Sequence, residues 1–454
     1  MRDLTQGPIP RHIAAMAAPI AIGLIVQTLY YLVDIYFVAQ LGDAAIAGVS
    51  AAGNAMFLIM ALTQILSVGT VALVSHAAGR KDQADANLVF NQSVALAGLL
   101  GAATLGLGYG FSGVYLNVVG ADEATRAAGR AYLYWLAPGM ALQFAIAAMG
   151  SGLRGTGVVR PTMIVQLLTV VLNIILAPIL IAGWLSGHPM GVAGAGLATT
   201  LASLFGAILL WFYFQRLEKY VGFDATLMRP RGAVWGRMLG IGLPSGGEFI
   251  LLFVYMAIIY AIIRDFGAAA QAGFGLGSRV MQSIFLPAMA IAFAAPAVAG
   301  QNFGARNAQR VRDTFRWTLI LSSAVMFLAT LICQWRAESL VRLFTADEAV
   351  IAVGVGFLGI ISWNFVANGI IFASSGMFQA MGNTWPALFS TATRIVTFAA
   401  PAIWLSRQPH FELKHVWYLS VATITAQAFL SFLLVQWQFG KRLKFALQPA
   451  SAAA

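Results

Sequence analysis

Charged residues are scarce in this chain. Asp, Glu, Lys and Arg make up 9% of its 454 residues, and hydrophobic residues make up 60%. An average soluble domain carries about 25% charged residues, and so few charges cannot cover so large an apolar core in water. The sequence therefore predicts an integral membrane protein. The single cysteine, Cys333, excludes an internal disulfide framework.

Motifs for enzymatic chemistry are also missing from the sequence. It contains no G-x-x-x-x-G-K-[ST] phosphate loop, no H-E-x-x-H zinc motif and no clustered His/Cys site. "GSGLRG" at 150–155 fits a dinucleotide-binding pattern, but it follows an apolar helical run rather than a strand. We therefore expect neither an enzyme nor a protein with a bound metal or organic cofactor.

Net charge is +11, and the basic residues cluster in short breaks between long apolar runs. That distribution indicates membrane orientation rather than nucleic-acid binding. With the N-terminus inside, 18 of the 27 Lys and Arg residues fall on the inner side and 7 on the outer side. We expect both termini to be cytoplasmic, in a multi-pass protein of the bacterial inner membrane that contacts lipid and acts as a monomer.

Apolar runs of about 20 residues, each long enough to cross a bilayer, follow one another along the chain. Eleven polar or Gly/Pro-rich breaks divide them into twelve segments, and the most polar break, at 216–231, separates six from six. The predicted fold is an all-α polytopic membrane protein with a six-helix lobe at 1–217, a cytoplasmic linker at 218–232 and a second six-helix lobe at 233–454.

The two halves repeat each other under one gap-free shift of 225 residues. The tetrapeptide ADEA occurs at 121–124 and at 346–349, and the same shift aligns several Gly and Pro residues. Because each half has an even number of spans, the repeats are predicted to be parallel. The two ADEA copies are expected to begin helices, with their acids at the positive end of the helix dipole.

Two acids lie inside apolar runs, where burying a charge is energetically costly and usually serves a function. Asp34 shares a helix face with Gln27 and Tyr30, at i, i+3 and i+7 spacing. This stripe favours a carboxylate that binds a proton or a cation inside a cavity. The alternative is an acid close enough to the outer interface to reach water.

The second acid, Glu248, lies about ten residues into its segment, just after Pro244 and two glycines. That position is near mid-depth of the membrane. This depth suits a carboxylate that couples an ion. An equal alternative is that Glu248 forms a structural ion pair with Arg279 or Arg394, the two arginines within apolar runs.

Three amides within apolar segments complete the candidate residues. Asn173 lies mid-helix in the fifth segment, and Asn364 and Asn368 are spaced i, i+4 in the tenth. Such amides form hydrogen bonds between helices or line a cavity.

Three stretches, "YYLVDIYFVAQLGDAAIAGVS", "GLRGTGVVRPT" and "VAGQNFGARN", resemble the multidrug and toxic compound extrusion (MATE) family. The resemblance implies twelve helices in two lobes around a central cleft and cation-coupled drug export. It also implies that Asp34 couples H⁺ or Na⁺, with Gln27 as a polar partner, and that Glu248 and Asn173 match family positions. The sequence departs at Ala177, where many members carry Asp.

We therefore expect an H⁺- or Na⁺-coupled antiporter that exports small organic cations by alternating access. A lipid-linked oligosaccharide or lipid flippase of a related superfamily is the alternative. Such a flippase needs a strongly basic cavity, and here only Arg279 and Arg394 lie within apolar runs. A polytopic membrane enzyme and a channel are weaker alternatives.

Overall fold

A computed structural model describes residues 1–119, 122–184 and 187–445, apart from seven helical side chains. These seven belong to Tyr30, Tyr31, Leu32, Asp34, Ile35, Asn54 and Val119. The α-helices are α1 (Ile9–Ala39), α2 (Asp43–Gly79), α3 (Gln83–Val119), α4 (Glu123–Gly155), α5 (Arg160–Ile181), α6 (Val192–Arg216), α7 (Gly232–Ile263), α8 (Ala268–Gly304), α9 (Ala308–Arg342), α10 (Glu348–Ile361), α11 (Phe365–Ala380), α12 (Trp385–Leu405) and α13 (Leu413–Arg442).

Within the described residues, twelve helices are long and apolar enough to cross a membrane, as predicted. The tenth span consists of two helices, because a short 3₁₀ turn at Ser362–Asn364 separates α10 from α11. Several helices run further than the sequence breaks suggested. The predicted break at 150–160 is mostly helix, since α4 continues to Gly155. Glycine costs a helix only about 1 kcal/mol, so it did not end this one.

The backbone confirms the tandem repeat. Helices α2 and α8 each have 37 residues, and a shift of 225 carries Asp43–Gly79 onto Ala268–Gly304. Residues with positive φ recur under the same shift, in the pairs Gly42 and Gly267, Lys81 and Arg306, and Gly157 and Gly382. Two lysine or arginine residues in this strained region at equivalent positions are unexpected by chance. The twelve helices therefore form two repeats of six.

Matched glycines explain one close helix crossing in each repeat. A Cβ placed on Gly48 of α2 would lie 2.7 Å from the backbone nitrogen of Gly129 in α4. In the second repeat, a Cβ on Gly273 of α8 would lie 2.6 Å from the Cβ of Val353 in α10. Small residues let helix backbones approach closely in lipid, where packing replaces the hydrophobic effect.

We expect Gly48→Val to destabilise the protein by about 3 kcal/mol, because the side chain would press on the backbone of α4. The measurement is thermal unfolding of the purified protein in detergent. Gly53→Val is the matched control, since Gly53 lies in the same helix and has no atom within 4 Å of its added Cβ. Equal melting temperatures for the two variants would show that this crossing does not need glycine.

The chain packs as two compact units. One contains Met1–Asp3 and Ala18–Gly246, and the other contains Leu4–Ala17 and Gly247–Ala454. The predicted domain boundaries, at 217 and 232, concern lobes defined along the chain and stay a prediction.

In the first unit, the linker between α6 and α7 is held by the start of α3. The amide of Asn91 donates to the carbonyl of Gly222, at 2.9 Å. Gln92 donates to the carbonyl of Arg229 at 2.7 Å and accepts from the backbone N–H of Arg231 at 2.8 Å. The linker is therefore an ordered part of this unit, because side-chain amides pair with its backbone groups.

Both copies of ADEA begin a helix. Asp122 accepts a hydrogen bond from the backbone N–H of Thr125, at 2.7 Å. Asp347 accepts from the backbone N–H groups of Ala349 and Val350, at 2.9 and 3.4 Å. Each Asp is therefore an N-cap, which explains why the tetrapeptide recurs.

Asp122→Ala is expected to lower the melting temperature slightly and to leave transport unchanged, because the cap is lost. Asp122→Asn retains an N-cap and serves as the control. The hydrogen bonds from Thr125 lower the pKa of Asp122. The stabilisation is therefore present above the ordinary pKa of Asp, about 3.9, and is lost as pH falls through the lowered value. An alanine variant with unaltered melting and pH dependence would contradict this assignment.

Candidate functional site

In the first unit, the polar stripe of α1 is only partly described, because the side chains of Asp34 and Tyr30 lie outside the described residues. Gln27 is exposed in the structure. A Cβ added at Gly23 would clash with the side-chain oxygen Oε1 of Gln166. At this point a side chain of α5 therefore reaches the backbone of α1.

The residue of α5 at which the family resemblance implies an acid is Ala177. Ala177 is 0% exposed, as is Asn173 one turn earlier. At this position α5 therefore buries a methyl group and not a carboxylate.

In the second unit, Glu248 lies on α7, and Pro244 lies one turn before it inside the same helix. Its carboxylate accepts a hydrogen bond from the hydroxyl of Ser375 in α11. The other carboxylate oxygen, Oε1, is buried without a hydrogen-bond partner. An acid with one oxygen unpaired in a membrane-spanning helix is chemically suited to take up a cation or a proton.

Arg394 of α12 is 8% exposed and belongs to the same polar cluster. Its guanidinium carbon lies 4.5 Å above the ring of Tyr255, which is two turns beyond Glu248 on α7. The Tyr255 hydroxyl is 2.7 Å from the hydroxyl of Ser420 in α13. The arginine acts on Glu248 through its charge without a hydrogen bond to it.

The structural ion pair that was considered for Glu248 is not present in the described part of the chain. No Lys or Arg nitrogen there lies within 4 Å of the Glu248 carboxylate, and the ion pairs that form involve other acids. Arg279 is exposed on α8. Of the two arginines, the structure brings only Arg394 to Glu248.

Asn364 and Asn368 lie at the break within the tenth span. Asn368 donates to the backbone carbonyl of Asn364, at 3.0 Å. The side-chain amide of Asn364 is 0% exposed, and neither its oxygen nor its nitrogen has a partner. The break therefore presents unpaired polar groups inside the second unit.

Sequence reasoning missed a buried polar face on α13. Ser420, Gln427 and Ser431 recur at i, i+7 and i+11 and are all buried. Gln427 donates to Thr391 of α12 at 3.2 Å, and the hydroxyls of Ser431 and Ser390 lie 2.7 Å apart. The 3.6-residue spacing was a usable signal, whereas Tyr255 and Ser375 offered none, since isolated hydroxyls are common in apolar helices.

Comparison with known proteins identifies the family. The MatE family model matches residues 19–179 and again 244–405, and the two matches begin 225 residues apart. The multidrug export protein MepA of Staphylococcus aureus (strain NCTC 8325 / PS 47) is 27% identical over 382 residues, covering 83% of each chain. The probable multidrug resistance protein YoeA of Bacillus subtilis (strain 168) is 23% identical over 415 residues, covering 90% of this chain and 89% of YoeA.

Solved structures show the same fold. An outward-facing multidrug resistance MATE family transporter of the MOP superfamily superposes with a TM-score of 0.90 at 24% identity, covering 97% of this chain and 98% of that one. A MOP superfamily transporter from Pyrococcus furiosus also gives 0.90, at 23% identity and the same coverage. The twelve-helix double repeat and the two MatE matches agree, and the chain belongs to the MatE family of multidrug efflux transporters.

Proposed function

We propose that this protein is an antiporter that exports small organic cations in exchange for H⁺ or Na⁺ across the bacterial cytoplasmic membrane. The observation that carries the proposal is the presence of one intramembrane acid in the first span of each repeat, Asp34 in α1 and Glu248 in α7. The multidrug relatives support export of small molecules rather than of lipid-linked sugars.

The coupling mechanism follows from differential affinity. A ligand shifts the equilibrium between inward- and outward-open states only if it binds one of them more tightly. We propose that Asp34, together with Glu248, alternates between holding the coupling ion and a state of the protein that favours the cationic substrate. Gln27, Tyr30 and Asn173 support the first acid, and Arg394, Asn364 and Asn368 support the second. Arg279 is proposed to line the substrate path.

Orientation is part of the proposal. The Lys and Arg bias of the breaks places both termini in the cytoplasm. Export then moves substrate to the outer side of the membrane, where α1 ends and α2 begins. The protein acts as a monomer and needs no cofactor other than the coupling ion.

Transport in proteoliposomes tests the proposal. Vesicles containing the purified protein receive a fluorescent organic cation, and a pH gradient or a sodium gradient is imposed separately. We expect one gradient to drive the cation uphill and empty vesicles to show no movement. Equal flux with and without gradients would indicate a channel. If neither gradient drives the cation, lipid-linked substrates become the next assay.

A further inference from the structure

Arg394 is placed beside Glu248 by two contacts between α7 and α12. A Cβ added at Gly247 would lie 3.1 Å from the side chain of Leu388. Six residues later on α12, the guanidinium of Arg394 lies 4.5 Å from the ring centre of Tyr255. Glu248 follows Gly247 directly and lies two turns before Tyr255, on the same face of α7 as Tyr255, so the Arg394 charge lies near its carboxylate.

The arginine charge is held there independently of Glu248. Its guanidinium stacks on the face of Tyr255, and cation–π contacts of this kind are strongest where water is excluded. The ring is fixed in turn by Ser420, 2.7 Å from its hydroxyl, and by Phe398, whose ring centre is 4.9 Å away. Neutralising Glu248 therefore leaves Arg394 in place.

Protons and sodium ions place different demands on this site. A proton needs a single oxygen, and Oε1 of Glu248 is buried without a partner. A hard metal cation needs several oxygen ligands at once, whereas a guanidinium offers five donors and no acceptor. A sodium ion on the carboxylate would also lie close to a fixed positive charge in a site of low dielectric.

We propose that Arg394 makes Glu248 a proton site by excluding Na⁺ from the second unit. The proposal rests on the proposed antiport function and names the coupling ion for one of its two acids. The Arg394 charge acts on Glu248, and the hydroxyl of Ser375 donates to its carboxylate. Arg394 is a positioning residue, because it works through Glu248 rather than on the substrate.

Sodium-dependent melting of the purified protein tests this without any transport assay. Unfolding temperatures are measured in detergent with NaCl and with choline chloride at equal ionic strength. In an Asp34→Asn background, which removes the first acid, we expect no stabilisation by Na⁺. When Arg394→Gln is added to this background, the unfolding temperature in NaCl should exceed that in choline chloride by roughly 2 °C or more. A further Glu248→Gln change should abolish that rise, because it removes the ligand.

Two further variants test whether the positive charge of Arg394, and not its shape, excludes Na⁺. Arg394→Lys keeps the positive charge and should remain unresponsive to Na⁺, while Arg279→Gln removes an exposed intramembrane arginine and should also give no response. If the Asp34→Asn protein with Arg394 intact is stabilised by Na⁺ and Glu248→Gln removes that effect, the proposal is wrong. This result can be obtained even if the Arg394 variants do not fold, because Arg394 is intact in both proteins compared.

The test also separates this inference from the proposed function. Ion binding to Glu248 is read from melting, whether or not the vesicles export organic cations. An Arg394→Gln protein that folds yet responds to Na⁺ no more than Arg394→Lys would overturn the role of Arg394, while leaving antiport untouched. Failure of uphill transport in vesicles would overturn the antiport function alone.

Discussion

Replacing Asp34 with Asn is expected to abolish gradient-driven export while the protein still folds and inserts. An asparagine has nearly the shape of aspartate, but it neither releases a proton nor carries the charge that holds a cation. A coupling ion that binds both conformations equally cannot shift their populations. We therefore expect coupled transport in vesicles to fall by about 100-fold or more, to the level of empty vesicles.

Asp43→Asn is the matched control for this experiment. Asp43 is an exposed acid in the first turn of α2, and it lies outside the polar stripe of α1. We expect that variant to transport at the wild-type rate. Both proteins must elute as single species in detergent and melt normally. A folded Asp34→Asn protein that still moves substrate uphill would remove Asp34 from the mechanism.

Glu248→Gln is expected to slow coupled export by about tenfold or more, because the second unit loses its acid while the first keeps Asp34. The amide oxygen can still accept from the Ser375 hydroxyl, so the variant should fold. Initial rates in vesicles, measured over a range of gradient strengths, give the size of the loss. The rate should also become less dependent on the size of the gradient, since one proton-binding group is gone.

Glu338→Gln serves as the control in the second unit. Glu338 is 62% exposed on α9 and pairs with Arg342, at 2.8 Å, and a surface pair of this kind contributes little. Wild-type transport by this variant would show that removing an acid from the unit is harmless in itself. Wild-type transport by Glu248→Gln would instead assign Glu248 a structural part, held in place by Ser375 and Arg394.

Glu248 shows how far a site can be predicted from sequence. Glu248 stood out because a carboxylate inside an apolar run is costly, and the structure accounts for its setting with Ser375 and Arg394. The direct ion pair that sequence allowed does not form, since Arg394 stacks on Tyr255 instead. Which of two arginines approaches an acid depends on helix rotation, and hydropathy does not report rotation.

Composition and periodicity by themselves determined that this chain enters lipid, crosses it twelve times and consists of two repeats. These are local properties: a bilayer of fixed thickness demands helices of a certain apolar length, and a duplicated gene leaves its glycines and caps at a constant spacing. Tertiary structure alone decided that Arg394 meets Tyr255, that Ser375 meets Glu248 and that α13 buries a polar face. Those contacts join residues far apart in the chain, and they exist because packing without water selects the few helix rotations that pair buried polar groups.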